Sequence, residues 1–354
     1  MNTSPKILII RLSSLGDILH TLPALSGLRA AYPEARIDWL AAKKSSFLLT
    51  AVRGIDAIHI LDTASLLRFP LDRSAWRQSW NLIRELRSRR YDLVLDFQGL
   101  LKTAFLAFIS GSGTRFGFSR ELVRERPAHW FYHKTLSKPP QQVHVLVLNQ
   151  MLASLAGALR VSSPINFLVS EDDRRFVDSL LEQARIKEFV VINPGGGWPT
   201  KTWSPEMYGR LAKRIQGELG MPVAVTTGPG EETLYRKIAE SCGEPLPLHF
   251  AISFLQLIPF LKKARLFIGG DTGPFHLACA VGTAVVGIFG PTSPIRNGPW
   301  TEGEEVVSHN LQCGSCYGRT CSTQNECMDI TVDEVFAGVI RRLGIREDSV
   351  SAHR

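Results

Sequence analysis

An aspartate stands where the first predicted strand meets the first predicted helix, in the stretch "SSLGDILH". Asp17 follows Gly16, and a glycine allows the backbone to turn tightly. Two interpretations are open. Asp17 caps the helix, which is a common task for aspartate, or its carboxylate faces a ligand as a general base. Ser13 and Ser14 either hydrogen-bond that ligand or fill the turn. Taken alone, the local sequence favours the cap.

A second candidate site lies in "FIGGDTGPFHLACAVGTAVVGIFG", where a predicted strand ends in a glycine pair. Asp271 and Thr272 are good capping residues, and Pro274 suits the first helical turn. A helix N-terminus offers free N–H groups and a positive dipole, so the stretch predicts an anion site suited to a pyrophosphate. His276 lies in the first turn. It either reaches the same ligand or is a capped surface histidine.

A third candidate is the glycine-rich loop of "INPGGGWPTKTWSPEMYGRLAKRI", which carries Thr200 and Lys201 between a strand and a helix. Its composition is that of a phosphate loop. Its spacing is not GxxxxGK[ST], which argues against an ordinary nucleoside triphosphatase. Lys201 either neutralises a leaving diphosphate or is an exposed loop lysine. The absence of GxGxxG after the first strand argues against a nicotinamide dehydrogenase, and the absence of GxSxG against an α/β-hydrolase.

The elements that must position these groups alternate between strand and helix along most of the chain. The first half contains the predicted strands "KILIIR", "RIDWLAA", "AIHIL" and "YDLVLDF", with helices over 18–31 and 75–89. After an irregular middle the alternation resumes with "FVVINPG", "MPVAVTTG", "PLHF", "ARLFIGGD" and "AVVGIFG", and with helices over 205–219, 231–241, 253–262 and 332–343. This order predicts parallel sheets covered by helices. We expect a boundary within 162–170, giving domains 1–165 and 166–354.

The composition fits a folded protein with an anionic partner. The chain has 354 residues, 44% of them hydrophobic and 21% charged, and its formal net charge is +8. Its longest apolar runs are too short to span a bilayer, and "KILII" lacks a signal-peptide cleavage site, so we expect a cytoplasmic protein. The positive charge has two explanations. It forms a solvated basic surface, or it attracts a partner that carries phosphates or carboxylates, such as a sugar nucleotide, an anionic lipid or a nucleic acid.

Six cysteines divide into two groups. Cys242 and Cys279 stand alone and are expected to be buried core residues. The other four lie in "CGSCYGRTCSTQNEC", as Cys313, Cys316, Cys321 and Cys327. They bind metal, pair as disulfides or belong to a cysteine-containing surface loop, and the spacing does not decide between these.

Four blocks of this sequence resemble the ADP-heptose:lipopolysaccharide heptosyltransferases of glycosyltransferase family 9: "ILIIRLSSLGDILHTLPAL", "DFQGLLKTA", "NPGGGWPTKTWSPEMY" and "GGDTGPFHLACAVGTAVVGIFGPTSP". The similarity runs from about residue 6 to about residue 335. "DFQGLLK" and "RERPAHWFYHK" are most similar to the heptosyltransferase I branch. The sequence of the loop "GGGWPTK" departs from that of the heptosyltransferase I branch, and the four-cysteine segment is more similar to other branches of family 9.

The resemblance implies a GT-B fold, with two Rossmann-like domains facing across a cleft and the last helix able to pack back on the first domain. It implies inverting transfer of heptose from ADP-L-glycero-D-manno-heptose to the Kdo region of lipopolysaccharide, with Asp17 as general base and no cofactor or catalytic metal. The implied donor-site residues are Thr200, Lys201, Gly270, Asp271, Thr272, Gly273 and His276. The implied acceptor-site residues are Ser14, Gly16, Gln98, Lys102, Arg120 and Arg124, with Arg126 and Lys134 nearby in a basic, aromatic-rich segment. Peripheral contact with the inner membrane is a further expectation. A different nucleotide sugar or acceptor is one alternative, and a basic nucleic-acid-binding protein is another.

Overall fold

The structure is a computed structural model that describes residues 4–63, 73–161, 165–301 and 303–345. Within it the chain divides into two compact units, Met1–Leu168 and Val169–Arg354. Part of the predicted boundary region, residues 162–164, lies outside the described residues, as does the polar tail from 346 onward.

In the described part of the first unit, six parallel strands form one sheet in the order β3-β2-β1-β4-β5-β6. They are β1 Lys6–Ile10, β2 Arg36–Ala42, β3 Ala57–Leu61, β4 Leu93–Asp96, β5 Thr114–Phe118 and β6 Lys134–Leu136. The α-helices are α1 Leu15–Leu19, α2 Leu22–Ala31, α3 Arg73–Arg89, α4 Leu101–Ile109 and α5 Val145–Ser154, with 3₁₀ turns at Ser46–Ala51 and Arg126–Phe131. The central strands are almost continuously apolar and buried, as strands covered by helices on both faces must be.

In the described part of the second unit, another six parallel strands form a sheet in the order β12-β11-β10-β7-β8-β9. They are β7 Val190–Asn193, β8 Val223–Thr226, β9 Leu248–Phe250, β10 Leu266–Gly270, β11 Val285–Phe289 and β12 Glu305–Ser308. The α-helices are α6 Glu171–Gln183, α7 Pro205–Leu219, α8 Glu232–Cys242, α9 Leu257–Lys263, α10 Gly273–Val281, α11 Pro294–Asn297 and α12 Val332–Leu343, with 3₁₀ turns at Pro199–Lys201 and Glu326–Met328.

The predicted helix over 18–31 is two helices. Its first part begins earlier, at Leu15, and ends at Leu19, and α2 begins at Leu22. Pro23 near the start of α2 explains the break, because proline has no N–H to continue the preceding helix and suits a first turn. Gly16 is the second residue of α1, so it lies inside a helix and not in the tight turn that we expected.

The last helix, α12, belongs to the core of the second unit. Val335, Phe336, Val339 and Ile340 are buried in one cluster with residues of β10 and β11. These four side chains therefore contribute to the core of the second unit. Among the described residues, no helix is both long and apolar enough to cross a membrane.

Candidate active site

The first candidate site lies at the switch point of the first sheet. β1 pairs with β2 on one side and with β4 on the other, and the connections out of these strands run in opposite directions. Ligands of open α/β sheets bind at such a point, beyond the carboxyl ends of the strands. The loop after β1 carries Arg11 and Ser14, Asp17 lies in the first turn of α1, which follows that loop, and the loop after β4 carries Gln98.

Asp17 is held by two neighbours. Its Oδ1 lies 2.5 Å from Arg11 Nη2, and its Oδ2 accepts hydrogen bonds from the backbone N–H of Ser14 at 2.9 Å and from the Ser14 hydroxyl at 3.1 Å. Ser14, not Asp17, is the N-cap residue of α1. Asp17 stands three residues later and reaches back to the cap, so it has a capping function without being the cap itself. One third of its side chain remains exposed.

The charge of Asp17 is maintained by these contacts. Burial raises the pKa of the carboxyl, but the Arg11 guanidinium and the hydrogen bonds from Ser14 outweigh burial, and the net pKa is lowered. Arg11 is itself buried and donates to the Phe97 carbonyl, and its Nε has no partner among the described residues. Asp17 is therefore an ionised carboxylate, partly open to solvent and fixed in orientation.

Gln98, in the loop after β4, supports the loop after β1. Its side-chain oxygen accepts hydrogen bonds from Leu12 N at 3.0 Å and Ser13 N at 3.4 Å, so it joins the two loops of the switch point. The preceding Asp96 is fully buried and accepts bonds from Gln98 N at 2.8 Å and from the Tyr132 hydroxyl at 2.8 Å. Burial raises the pKa of Asp96 despite these bonds. Sequence reasoning assigned no role to Asp96, and the only local signal for it is a carboxylate at the end of the apolar strand "LVLD".

The predicted acceptor cations are exposed, and one of them has a described backbone contact next to Gln98. Arg124 is exposed, and its backbone N–H donates to the Gly99 carbonyl at 3.1 Å, next to Gln98. Lys102 is exposed on the first turn of α4, and Arg120 and Arg126 are exposed in the segment after β5. Lys134 begins β6 and lies 5.7 Å from the Phe116 ring centroid. Arg124 is thus brought to the switch point by a described contact.

The second candidate site lies at the switch point of the second sheet. β7 pairs with β8 on one side and β10 on the other. Lys201 follows β7, and Asp271 follows β10. Lys201 Nζ lies 2.6 Å from Asp271 Oδ2 and 3.1 Å from the Asp271 carbonyl oxygen, and it is nearly buried against the Trp198 ring, 4.0 Å from its centroid. Lys201 is therefore not an exposed loop lysine.

Asp271 is the centre of this cluster. Its other oxygen lies 2.8 Å from His276 Nε2, and the Asn297 side-chain nitrogen lies 3.4 Å from Oδ2. Burial alone would raise the pKa of Asp271, but hydrogen bonding and charge from His276, together with Lys201, hold it far below its ordinary value. His276 is buried, so it is not a surface histidine. The Asp271 carboxylate thus compensates the charge of Lys201 and orients both side chains.

The start of α10 completes the cluster. Thr272 caps the helix, its hydroxyl accepting from Phe275 N at 3.4 Å, and Gly273 is the first helical residue. The first N–H groups of a helix have no acceptor within the helix. Pro274 has no N–H and Phe275 N donates to Thr272, so the Gly273 amide is a first-turn donor left for a ligand. A Cβ at Gly270 would lie 3.2 Å from the Lys201 carbonyl oxygen, so glycine lets this loop approach β10.

Trp198 Nε1 and Asn297 Oδ1 are buried beside Lys201 and Asp271 and have no hydrogen-bond partner among the described residues. Thr292 Oγ1, in the segment after β11, is also buried without a described partner. Such atoms are costly unless a ligand or water satisfies them. They therefore support a polar ligand at this switch point, and sequence reasoning did not single out any of the three.

The four-cysteine segment lies beside the Lys201 loop. The Thr200 hydroxyl donates to the Gly318 carbonyl at 2.6 Å, and the Arg319 guanidinium lies 5.4 Å from the Trp198 ring centroid. Cys313, Cys316 and Cys321 are exposed, Cys327 is buried, and all four are free thiols. Within the described residues, no group of three or more His, Cys, Asp or Glu side chains is arranged to hold a metal ion. Cys242 and Cys279 are buried, which confirms their prediction as core residues.

Each of the two units is a Rossmann-like parallel sheet with polar groups at its switch point, where sheets of this kind bind their ligands. The sequence profile of glycosyltransferase family 9 (heptosyltransferase) matches residues 79–326, which is more than half of the chain. The chain therefore belongs to glycosyltransferase family 9 and is a glycosyltransferase, which confirms the family resemblance.

Two curated relatives extend the match to most of the chain. The lipopolysaccharide core heptosyltransferase OpsX of Haemophilus influenzae is 26% identical over 310 residues, covering 86% of this chain and 85% of the relative. The lipopolysaccharide heptosyltransferase 1 of Pseudomonas aeruginosa is 29% identical over 329 residues, covering 90% of this chain and 88% of the relative.

Solved structures match the fold. The E. coli heptosyltransferase WaaC with ADP has a TM-score of 0.77 at 22% identity, covering 95% of this chain and 99% of that one. A family 9 glycosyltransferase from Veillonella parvula has a TM-score of 0.79 at 19% identity, covering 96% and 97%. These likenesses confirm the predicted GT-B fold class. Family membership also favours an enzyme over the nucleic-acid-binding alternative.

Proposed function

We propose that this protein transfers a heptose from an ADP-heptose to the Kdo-containing inner core of lipopolysaccharide, with inversion at the anomeric carbon and Asp17 as general base. The observation that carries the proposal is the ionised, oriented and partly exposed Asp17 carboxylate at the first switch point. The names of the relatives, which are lipopolysaccharide heptosyltransferases, support the substrate class.

Asp17 would take the proton from the acceptor hydroxyl while that oxygen attacks the anomeric carbon. The bond from this carbon to the ADP oxygen breaks on the opposite face, and ADP leaves with the electron pair. Positive charge develops on the sugar ring, as in other glycosyl transfers. The hydroxyl becomes acidic as its new bond forms, so a carboxylate of low pKa suffices as base, and its charge stabilises the ring.

The second switch point would receive the ADP. Negative charge grows on the diphosphate as it leaves, and the amides of Thr272 and Gly273 at the start of α10 are suited to stabilise it. Lys201 would add an ammonium that Asp271 and His276 hold in orientation. Thr200 and Gly270 would act through the backbone geometry of the loop, because the Thr200 hydroxyl already donates to Gly318.

The acceptor would be bound by the first unit. Arg124, Lys102 and Arg120 are exposed cations suited to carboxylates and phosphates. Gln98 and Ser14 contribute chiefly by shaping the loop that carries Asp17, since their described hydrogen bonds go to that loop. Gly16 lies within α1 and would contribute by its small size.

The test is ADP release from ADP-heptose with and without a Kdo-lipid A acceptor, for the wild-type chain and for Asp17→Asn. We expect release that requires both substrates, and a loss of about 10²–10⁴-fold in kcat for the variant with unchanged ADP affinity by calorimetry. Ser14→Ala is the matched control, because it removes one capping bond and keeps the carboxylate. Normal turnover by Asp17→Asn would exclude Asp17 as the base.

The alternative is a family 9 enzyme with a different nucleotide sugar or acceptor. Two departures from the heptosyltransferase I branch support this alternative: the "GGGWPTK" loop, which carries Lys201, and the four-cysteine segment, which contacts that loop through Gly318. ADP binding without release from ADP-heptose would support it, and a panel of nucleotide sugars would then identify the donor.

A further inference from the structure

Helix α4 exposes an apolar face. Its sequence, "LKTAFLAFI", contains a single charged residue. Ala104, Leu106 and Ala107 are buried, while Leu101, Phe105 and Phe108 are spaced by four and three residues and lie together on the outer side, 42%, 48% and 50% exposed. A helix that is apolar all round is normally covered by protein or lipid. Among the described residues the outer side of this helix is covered only in part, by Phe131 and by the Arg115 guanidinium, which lies 5.3 Å from the Phe108 ring centroid.

Aromatic residues continue this surface on both sides of α4. Phe131 makes edge contacts with Phe105 and Phe108, at 6.3 and 5.8 Å between ring centroids, and the adjacent Trp130 is 76% exposed. On the other side, Trp80 of α3 is 55% exposed. Exposed tryptophan and phenylalanine side chains grouped in this way mark an interaction surface.

A groove between α3 and α4 joins the aromatic residues to arginines. Its volume is about 660 Å³, and it is lined by Trp80, Ile83, Arg84, Arg87, Ser88, Arg90, Phe105 and Ile109. The Arg84 guanidinium lies 5.6 Å from the Trp80 ring centroid. We name the surface formed by Trp80, Arg84, Arg87, Phe105, Phe108 and Trp130 the aromatic-basic face.

We propose that the aromatic-basic face docks on an anionic phospholipid bilayer, with the aromatic rings at headgroup depth and the arginines against lipid phosphates. Tryptophan favours the interface between headgroups and acyl chains, and arginine is attracted to anionic lipid surfaces. The inference rests on the proposed function in one respect: docking would bring the enzyme to a lipid-borne acceptor.

Charge identifies the occupant. Helix α3 carries the acidic residue Glu85, which lies 3.0 Å from His59 Nδ1 and 3.9 Å from Arg89 Nη2, so it is already paired. A second copy of this chain, meeting the face across a twofold axis, would set arginines against arginines. An anionic lipid surface complements both the positive charge and the aromatic rings.

The experiment is sedimentation of the full chain with vesicles of phosphatidylcholine alone or mixed with phosphatidylglycerol. We expect binding to the anionic vesicles that weakens as salt is added. Phe105→Ser/Phe108→Ser and Arg84→Glu/Arg87→Glu should each lower the affinity on the order of tenfold or more. The arginine variant retains every aromatic ring, so it tests the proposal even if the serine variant is less stable.

Matched controls lie on the second unit. Phe176→Ser removes a phenylalanine that is 45% exposed on α6, and Arg174→Glu/Arg236→Glu reverses two exposed arginines. These controls should bind vesicles as the wild type does. Equal losses in the controls, or wild-type protein that sediments with neither vesicle, would overturn the proposal. So would a concentration-dependent dimer that the serine variant abolishes, in a chain that binds no vesicle.

The vesicle assay contains no nucleotide sugar, so its result is independent of the proposed reaction. Loss of transfer with retained vesicle binding would count against the proposed function alone. Retained transfer with no vesicle binding would count against the aromatic-basic face alone.

Discussion

Arg11 controls the charge state of Asp17. The guanidinium lies 2.5 Å from the carboxylate and is buried, so its effect on the pKa of Asp17 is little screened by solvent. Sequence inspection drew attention to Asp17 and missed Arg11, because an arginine directly after a strand has no distinctive spacing. Only the fold of the loop turns it toward the carboxylate.

We predict that Arg11→Gln shifts the acidic limb of the pH profile of kcat/KM to higher pH. The pKa of Asp17 is lowered in the folded chain, so a base that must be ionised is active down to low pH. Removing the guanidinium raises that pKa, and the base becomes protonated at a higher pH. Steady-state kinetics between about pH 4 and 8 measures the limb, around the ordinary carboxyl value.

Arg11→Lys is the control, since it keeps a positive charge with a different geometry and should move the limb less. An unmoved limb in Arg11→Gln, with only a lower kcat, would mean that Arg11 supports the loop without setting the pKa of Asp17.

The packing of α7 against α8 requires a particular residue at a position that is not assigned to either candidate site. Gly209 lies where α7 meets α8: a Cβ there would be 2.4 Å from the Ile238 carbonyl oxygen and 2.7 Å from Ser241 Cβ. Gly217 lies in the same helix with no atom within 4 Å of its Cβ position. The bounds of α7 were predicted correctly at 205–219, but the sequence does not distinguish these two glycines.

We predict opposite effects of Gly→Ala at the two positions. Gly217→Ala should stabilise the chain by about 0.5–1 kcal/mol, because alanine restricts the unfolded backbone more than glycine. Gly209→Ala should destabilise it by about 1–3 kcal/mol, because the new methyl forces two packed helices apart. Denaturant unfolding measures both, and equal effects of the same sign would contradict the predicted close approach.

Apolar runs in the sequence predicted most strands, and the strands that were missed share a common feature. The runs "RIDWLAA" and "AIHIL" coincide with β2 and β3. The strands β5, β6 and β12 were not predicted, because they are short, carry polar or charged residues and lie toward the edges of their sheets. Such strands take their stability from pairing with a neighbour, which local sequence does not reveal.

At the scale of the whole molecule, the proposed base and the proposed donor groups belong to different units. Asp17 lies in Met1–Leu168, and Lys201 and Asp271 lie in Val169–Arg354. Each set occupies the switch point of its own sheet. Binding of the nucleotide and ionisation of the base should therefore be separable by experiment.

We predict that ADP protects only the second unit. At a concentration of about 100 times Kd, ADP should stabilise the unit that binds it by about 2.7 kcal/mol. Hydrogen exchange should slow in the Lys201 loop and at the start of α10, with little change in α1. Lys201→Met should weaken the protection, while Asp17→Asn should leave it intact. Protection centred on α1 would contradict the assignment of the donor site.

The sequence by itself determined the α/β alternation, the family and the stretches that bear the chemistry, because apolar runs and glycine-containing turns are local signals. Tertiary structure decided the partners of the charged groups. Arg11 meets Asp17, Lys201 meets Asp271 across 70 positions of the chain, and Gln98 joins the loop after β1 to the loop after β4. It also decided which apolar residues remain uncovered, as on α4. Charge compensation and burial depend on contacts between distant segments, and those exist only once parallel strands bring their carboxyl ends to one edge.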